Sequence, residues 1–334
     1  MIYCRSYIIF LLFASSLFGQ YRDIPDVVTK VATSAANWLK IESGARSIGM
    51  GGSQVASGIG VSAIPYNPSS ISYLRGDQEV YYSKVNYLAG ITHNTIAYGR
   101  KMSYSDYIGI HLFYLDSGPI GVTTLWNPDG TGEDYRVTNY AFRLVYARLM
   151  TDRLRIGGSI KYIREEIYTM SMQSFLADIG SNFDTGIAGI MLGMSVSNFG
   201  PDVQFHGLGL EVQVPDTISV DETLIRRTKE FPVPLVFRLG IKKDLIGAEE
   251  GSVHRLTTSI DAINPLDYIL YFSTGAEYSW RDIGFFRAGT HIGHDTAGLS
   301  LGGGLKWSMF EVDYAYVNYG ILEETHQFGI SLNF

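Results

Sequence analysis

Thr325-His326-Gln327-Phe328-Gly329-Ile330-Ser331-Leu332-Asn333-Phe334 is a run of strict alternation that stops on an aromatic ring. Strand side chains repeat every two residues. His326, Phe328, Ile330, Leu332 and Phe334 therefore share one face, and Gln327, Gly329, Ser331 and Asn333 share the other. One face suits lipid and the other a lumen, the pattern of a strand in a transmembrane β-barrel. An edge strand of a soluble sandwich alternates as well, but nothing in that fold calls for an exposed terminal Phe.

Working back toward the amino end, the same alternation recurs in about fourteen segments, near 79–86, 91–101, 106–115, 135–148, 154–168, 174–184, 187–199, 233–243, 254–263, 268–278, 283–292, 298–307, 309–318 and 325–334. Leu154, Ile156, Gly158, Ile160 and Tyr162 oppose Arg155, Gly157, Ser159 and Lys161. Phe310, Val312, Tyr314 and Tyr316 oppose Glu311, Asp313 and Ala315. A strand of roughly ten residues, rising about 3.3 Å per residue and tilted about 40°, covers the apolar band of about 25 Å in such barrels. The gaps also sort by parity: 116–134 and 200–232 are long, while 149–153, 184–186 and 279–282 are short, with 244–253 intermediate. Outer-membrane barrels alternate long external loops with short periplasmic turns in this way. The expected fold is all-β, an antiparallel transmembrane barrel of about fourteen strands formed by residues 79–334.

Composition agrees. The chain is 46% apolar with 37 Gly, 23 Tyr, 17 Phe and 4 Trp against 10 Pro, and its mean hydropathy is +0.06. Beyond the amino end no apolar stretch is long enough for a transmembrane helix, so the apolar residues are interleaved along strands. A net charge of −7, with no basic stripe, excludes nucleic acid as a partner. Arg5 followed by the apolar run Tyr7–Phe13 and the small residues up to Gly19 reads as a signal peptide, residues 1–19. Cys4, the single cysteine, lies in that segment, so a chain cut there has neither disulfides nor thiol chemistry.

Residues 20–78 break the strand series. They run from Asn37-Trp38-Leu39 through Gly44-Ala45-Arg46-Ser47-Ile48-Gly49-Met50-Gly51-Gly52 and a small-residue stretch to Pro65-Tyr66-Asn67-Pro68-Ser69-Ser70. Glycines allow close backbone approach, and Asn67-Pro68 starts a turn. Such a segment ahead of the first strand is expected inside the barrel, as a plug. Leu39–Ser72, with Gly44, Ala45, Arg46, Gly49, Met50, Gly51, Gly52, Asn67 and Pro68, resembles the amino-terminal region of the PorV/PorQ family of outer-membrane proteins. That family lies within the wider group of long-chain fatty-acid-transporter-like barrels. The family usually continues Asn-Pro-Ala-Gly where this chain has Asn67-Pro68-Ser69-Ser70. The resemblance implies a fourteen-stranded barrel with an amino-terminal hatch, and makes Phe328, Ile330, Leu332 and Phe334 an assembly signal for the outer membrane. It further implies an accessory or platform role in type IX protein secretion, with a translocon and cargo as protein partners. The transporter cousins imply the alternative, a channel for hydrophobic small molecules.

Other chemistry-bearing patterns are explained more simply by strands and turns. Gly298-Leu299-Ser300-Leu301-Gly302 fits a nucleophile-elbow spacing, but its glycine-rich alternation places Ser300 in a strand facing the lumen. His291 and His294 are expected to diverge in an external turn, and no third metal ligand is evident. Residues 127–134 are rich in oxygen donors, yet Asn-Pro and Asp-Gly turn chemistry accounts for them without calcium. Glu165 and Glu166, adjacent on a strand, face opposite sides and make a poor acid/base pair. No cofactor, metal or catalytic set is expected, and the chain reads as a non-enzyme. In the long gap 200–232, Phe205, Leu208, Leu210, Val212, Val214 and Phe231 form a candidate loop for contact with a protein partner or for access from lipid.

Overall fold

The structure, a computed structural model, describes residues 31, 33–214, 222–225, 227–249, 251–295 and 298–334. The signal peptide expected at 1–19 and the first part of segment 20–78 lie outside these residues.

Fourteen antiparallel strands form the wall: β1 Gln78–Asn86, β2 Thr92–Lys101, β3 Asp106–Asp116, β4 Val137–Thr151, β5 Leu154–Ile167, β6 Met170–Asp184, β7 Ile190–Phe199, β8 Val236–Ile246, β9 His254–Pro265, β10 Tyr271–Trp280, β11 Gly284–Ile292, β12 Leu299–Trp307, β13 Phe310–Asn318 and β14 Glu324–Asn333. Each pairs with its neighbours in sequence, and β14 pairs back onto β1 from Glu79 opposite Asn333 to Asn86 opposite His326. The sheet is therefore closed and has no edge to aggregate.

Burial is inverted relative to a soluble protein. Ile160 is 64% exposed while its neighbour Lys161 is 1% exposed. The same holds around the wall, where Phe175, Ile260, Phe286 and Phe328 are exposed and Asp178, Asp261, Arg287 and Gln327 are buried. Water would penalise the first set, and a hydrocarbon surround removes that penalty. The protein is an integral outer-membrane barrel.

In β14, Phe328 and Ile330 are exposed, as is Phe334 just after it, and Leu332 is partly exposed, while Gln327, Gly329 and Ser331 are buried. The long connections carry structure that alternation did not reveal. Ile120–Gly121 pairs with Asp134–Tyr135, and Glu211–Val214 pairs with Glu222–Ile225. Such short hairpins leave too few residues for a period-two signal.

Labelling tests the sidedness. Single cysteines at Thr131 and Gly209, on the long-loop end, are expected to react with an impermeant thiol reagent on intact cells, and one at Asp152 is not. Reaction at Asp152 alone would turn the barrel over.

Candidate functional site

Segment 34–77 touches every strand of the wall from its buried side. The short helix α1, Ala45–Gly49, packs on β11 to β14. Val61–Ala63 lies against β1 and β2, and the 3-10 helix Pro68–Tyr73 against β3 to β6. Val55 and Met50 complete the circuit at β7, β8, β10 and β11, and Ser53 bonds Ser259 of β9 at 2.8 Å.

Backbone can approach this closely because the wall presents glycines where the segment lands. A Cβ added at Gly289 would lie 2.2 Å from the Gly51 amide nitrogen, and one at Gly275 2.3 Å from the Met50 carbonyl oxygen. At Gly157 and Gly193 the added carbon would meet the Ser69 nitrogen at 2.5 Å and the Val55 oxygen at 2.4 Å. On the segment side, Gly51 and Gly52 have φ of +61° and +73°, the left-handed turn that glycine makes without a Cβ penalty. Asn67 caps the 3-10 helix: its Oδ1 accepts from the Ser69 amide at 3.1 Å and from the Ser69 hydroxyl at 2.8 Å. Its Nδ2 donates to the Val55 carbonyl at 2.7 Å. The Ser69 hydroxyl thus adds a second donor to the turn.

Arg46 fixes α1 to the wall. Its Nε and Nη2 donate to the two Glu277 carboxylate oxygens at 2.9 and 3.0 Å, and its Nη1 donates to Gln54 Oε1 at 2.8 Å. Arg287 shares Glu277 at 2.6 Å and reaches Asp313 at 2.5 Å, and Arg75 pairs with Glu311. Buried charges persist when each finds a partner of opposite sign with matching hydrogen bonds, and this lattice provides both. Leaving Glu277 without Arg46 would strand part of a buried charge.

A second buried set shapes the outer half. Lys161 donates to Asp178 at 2.7 Å and also to Asn198. Asn198 sits at φ +67° beside a register shift between β6 and β7. Its side chain donates to the Pro234 carbonyl at 2.8 Å. The bulge turns the following chain inward, where Val203 pairs with Phe231 and joins an apolar cluster of Ala35, Ala36, Trp38, Phe113, Ile163, Met172 and Leu176. Trp38 stacks on Phe113 at 5.8 Å and donates its indole N–H to Glu165 at 3.0 Å.

The loop residues divide. Phe205, Leu208 and Leu210 line an outer cavity of about 540 Å³ together with Gln204, His206, Glu211 and Arg227. Phe205 also packs on the Trp38 cluster, as does Phe231. Val212 and Val214 belong to the hairpin strand Glu211–Val214 instead.

Ser300 is the second residue of β12, opposite Val317 and Gly289 and 1% exposed. Glu165 turns inward to Trp38 while Glu166 turns outward to Arg164 and Tyr140. The expected divergence of His291 and His294 is corrected. Their rings stand 5.7 Å apart and both pack on Tyr271, because His291 closes β11 on its buried face, where its Nε2 lies 3.0 Å from Glu42 Oε1. Among the described residues no three His, Cys, Asp or Glu side chains converge to hold a metal.

No protein-family model and no curated protein matches the sequence. Solved structures do share the fold. A monoaromatic hydrocarbon channel, CymD, superposes with a TM-score of 0.59 at 14% identity, covering 87% of this chain and 97% of that one. The Ralstonia pickettii toluene transporter TbuX gives 0.56 at 14%, with 88% and 99% covered, and a Pseudomonas aeruginosa FadL homologue gives 0.52 at 12%, with 87% and 98% covered.

Proposed function

We propose that the protein is an outer-membrane channel for hydrophobic small molecules, in which the barrel of residues 79–334 is closed by segment 20–78. The observation that carries this reading is the apolar continuity from the outer cavity, through Phe205, to the cluster around Trp38 on that segment. A hydrophobic solute leaving water gains about 25 cal/mol per Å² of apolar surface it buries, so the cavity collects it beside the Trp38 cluster. Passage then requires the segment to shift. The similar folds of channels for toluene and other monoaromatic hydrocarbons support the same reading, and they reverse the order expected from the PorV/PorQ resemblance, which put type IX secretion first.

The secretion platform remains the second reading because Leu125 and Trp126, 97% and 90% exposed at the tip of an outer hairpin, suit contact with a translocon or cargo. One pair of variants separates the two. Leu208→Asp with Leu210→Asp is expected to reduce uptake of radiolabelled toluene into proteoliposomes at least tenfold, whereas Leu125→Ser with Trp126→Ser leaves it unchanged. Unaltered uptake in the first variant, together with loss of a co-purifying protein in the second, favours the platform.

A further inference from the structure

Beneath segment 34–77, at the short-turn end of the barrel, lies a cavity of about 630 Å³. Six cationic side chains line it against two carboxylates, Glu277 and Asp282. Two of the cations, Arg46 and Arg75, come from the segment; Arg155, Lys242, Arg255 and Lys306 come from the inner ends of β5, β8, β9 and β12.

The carboxylates do not balance this set. Arg46 and Arg75 are matched by Glu277 and Glu311. Arg155 instead donates to the Ser72 carbonyl at 2.5 Å and lies over the Tyr73 ring at 4.0 Å. Arg255 meets Asp282 only at 3.5 Å, and Lys242 meets Asp244 at 3.8 Å. Among the described residues, Lys306 forms no ion pair. Cations around a cleft with low-dielectric walls focus a positive potential into it.

The opposite end carries the other sign. Asp129, Glu133 and Asp134 stand in one outer loop and Asp202, Glu211 and Glu230 in another, against Arg136, Arg227 and Lys229. An anion approaching from outside meets like charge, while one approaching from the periplasmic, short-turn end does not.

We propose that this inner vestibule binds a small dianion bearing phosphate or paired carboxylates, which reaches it from the periplasmic side and ties the segment to the wall. Guanidinium forks match both oxyanion types, and lysines add point charge. Because the cations come from both the segment and the wall, the dianion makes its full set of contacts only while the segment is seated. Binding and seating are therefore linked, each favouring the other. The site stands whether or not hydrophobic solutes cross the barrel.

The test uses the full chain in detergent micelles at constant ionic strength. Inorganic phosphate or succinate is expected to raise the apparent melting temperature by several degrees over chloride. Both should slow amide exchange at Ser57–Gly58 and Ser72–Arg75. Arg255→Gln with Lys306→Gln should weaken phosphate or succinate binding at least tenfold by calorimetry, while Lys84→Gln, at the outer end of β1, should not. A response to phosphate alone assigns the site to phosphate esters, and to succinate alone to dicarboxylates. The proposal is overturned if neither anion acts beyond chloride, or if the Arg255/Lys306 variant binds as tightly as the native chain.

Discussion

Gly289→Val is expected to leave a barrel that still inserts and still migrates as a folded band, but leaks small hydrophilic dyes at least tenfold faster than the native protein. The added carbons would occupy the space of the Gly51 nitrogen and the Met50 carbonyl carbon, both 2.2 Å from a Cβ at this position. Backbone on each side leaves no flexible side chain to yield, and overpacking of this kind typically costs about 1–3 kcal/mol. The wall is held by continuous hydrogen-bonded pairing on both edges of β11. The segment's turn at Gly51-Gly52 has no such ladder, so the segment is what moves. Gly303→Val is the control, since its added carbon faces outward and meets nothing nearer than the Phe285 oxygen at 3.8 Å. Dye flux at the native level in Gly289→Val would show that the segment does not seal the lumen.

The second large effect is on stability. Leu301→Arg should lower the unfolding free energy in urea by roughly 2–4 kcal/mol if the side chain faces the bilayer midplane, and by less the nearer it lies to the interface. Leu301 is 46% exposed on the outer face of β12, between Ala288 and Tyr316. Leu301→Ala should cost far less, because it removes area without placing a charge in lipid. If the two variants unfold alike in micelles or bilayers, the lipid-facing register of β12 is wrong.

Ser300 shows where sequence reasoning reached its limit. Alternation placed it correctly on the inward face. Yet Ser300 is 1% exposed, on a strand against which α1 packs. Period-two patterning tells which face a residue occupies but not what stands opposite it. The strands were legible for the same reason that this was not: each strand carries its own signal, whereas contacts across the lumen depend on the register of the whole barrel. Arg46 was singled out by its motif, yet its partner Glu277 lies 231 residues away. A usable clue did exist. Lys161, Glu277, Arg287 and Asp313 are charges on the inward side of otherwise apolar-alternating strands, and buried charges require partners. The inward bulge at Asn198 gave no advance sign, since Asn in a left-handed conformation looks like any other strand residue in sequence.

The closing pair of strands also ties down the interior segment. Gln78 and Phe334 exchange backbone hydrogen bonds at 2.8 and 3.0 Å, joining residues from the two ends of the barrel sequence, and segment 34–77 is covalently continuous with the first of them. Bringing such distant residues together carries a loop-closure entropy greater than that of any neighbouring hairpin in the wall. Once β14 has zipped onto β1, α1 can reach its glycine seats only through an end of the barrel. Closing the seam therefore also anchors the carboxyl end of segment 34–77, at Gln78, to the last residue of the chain.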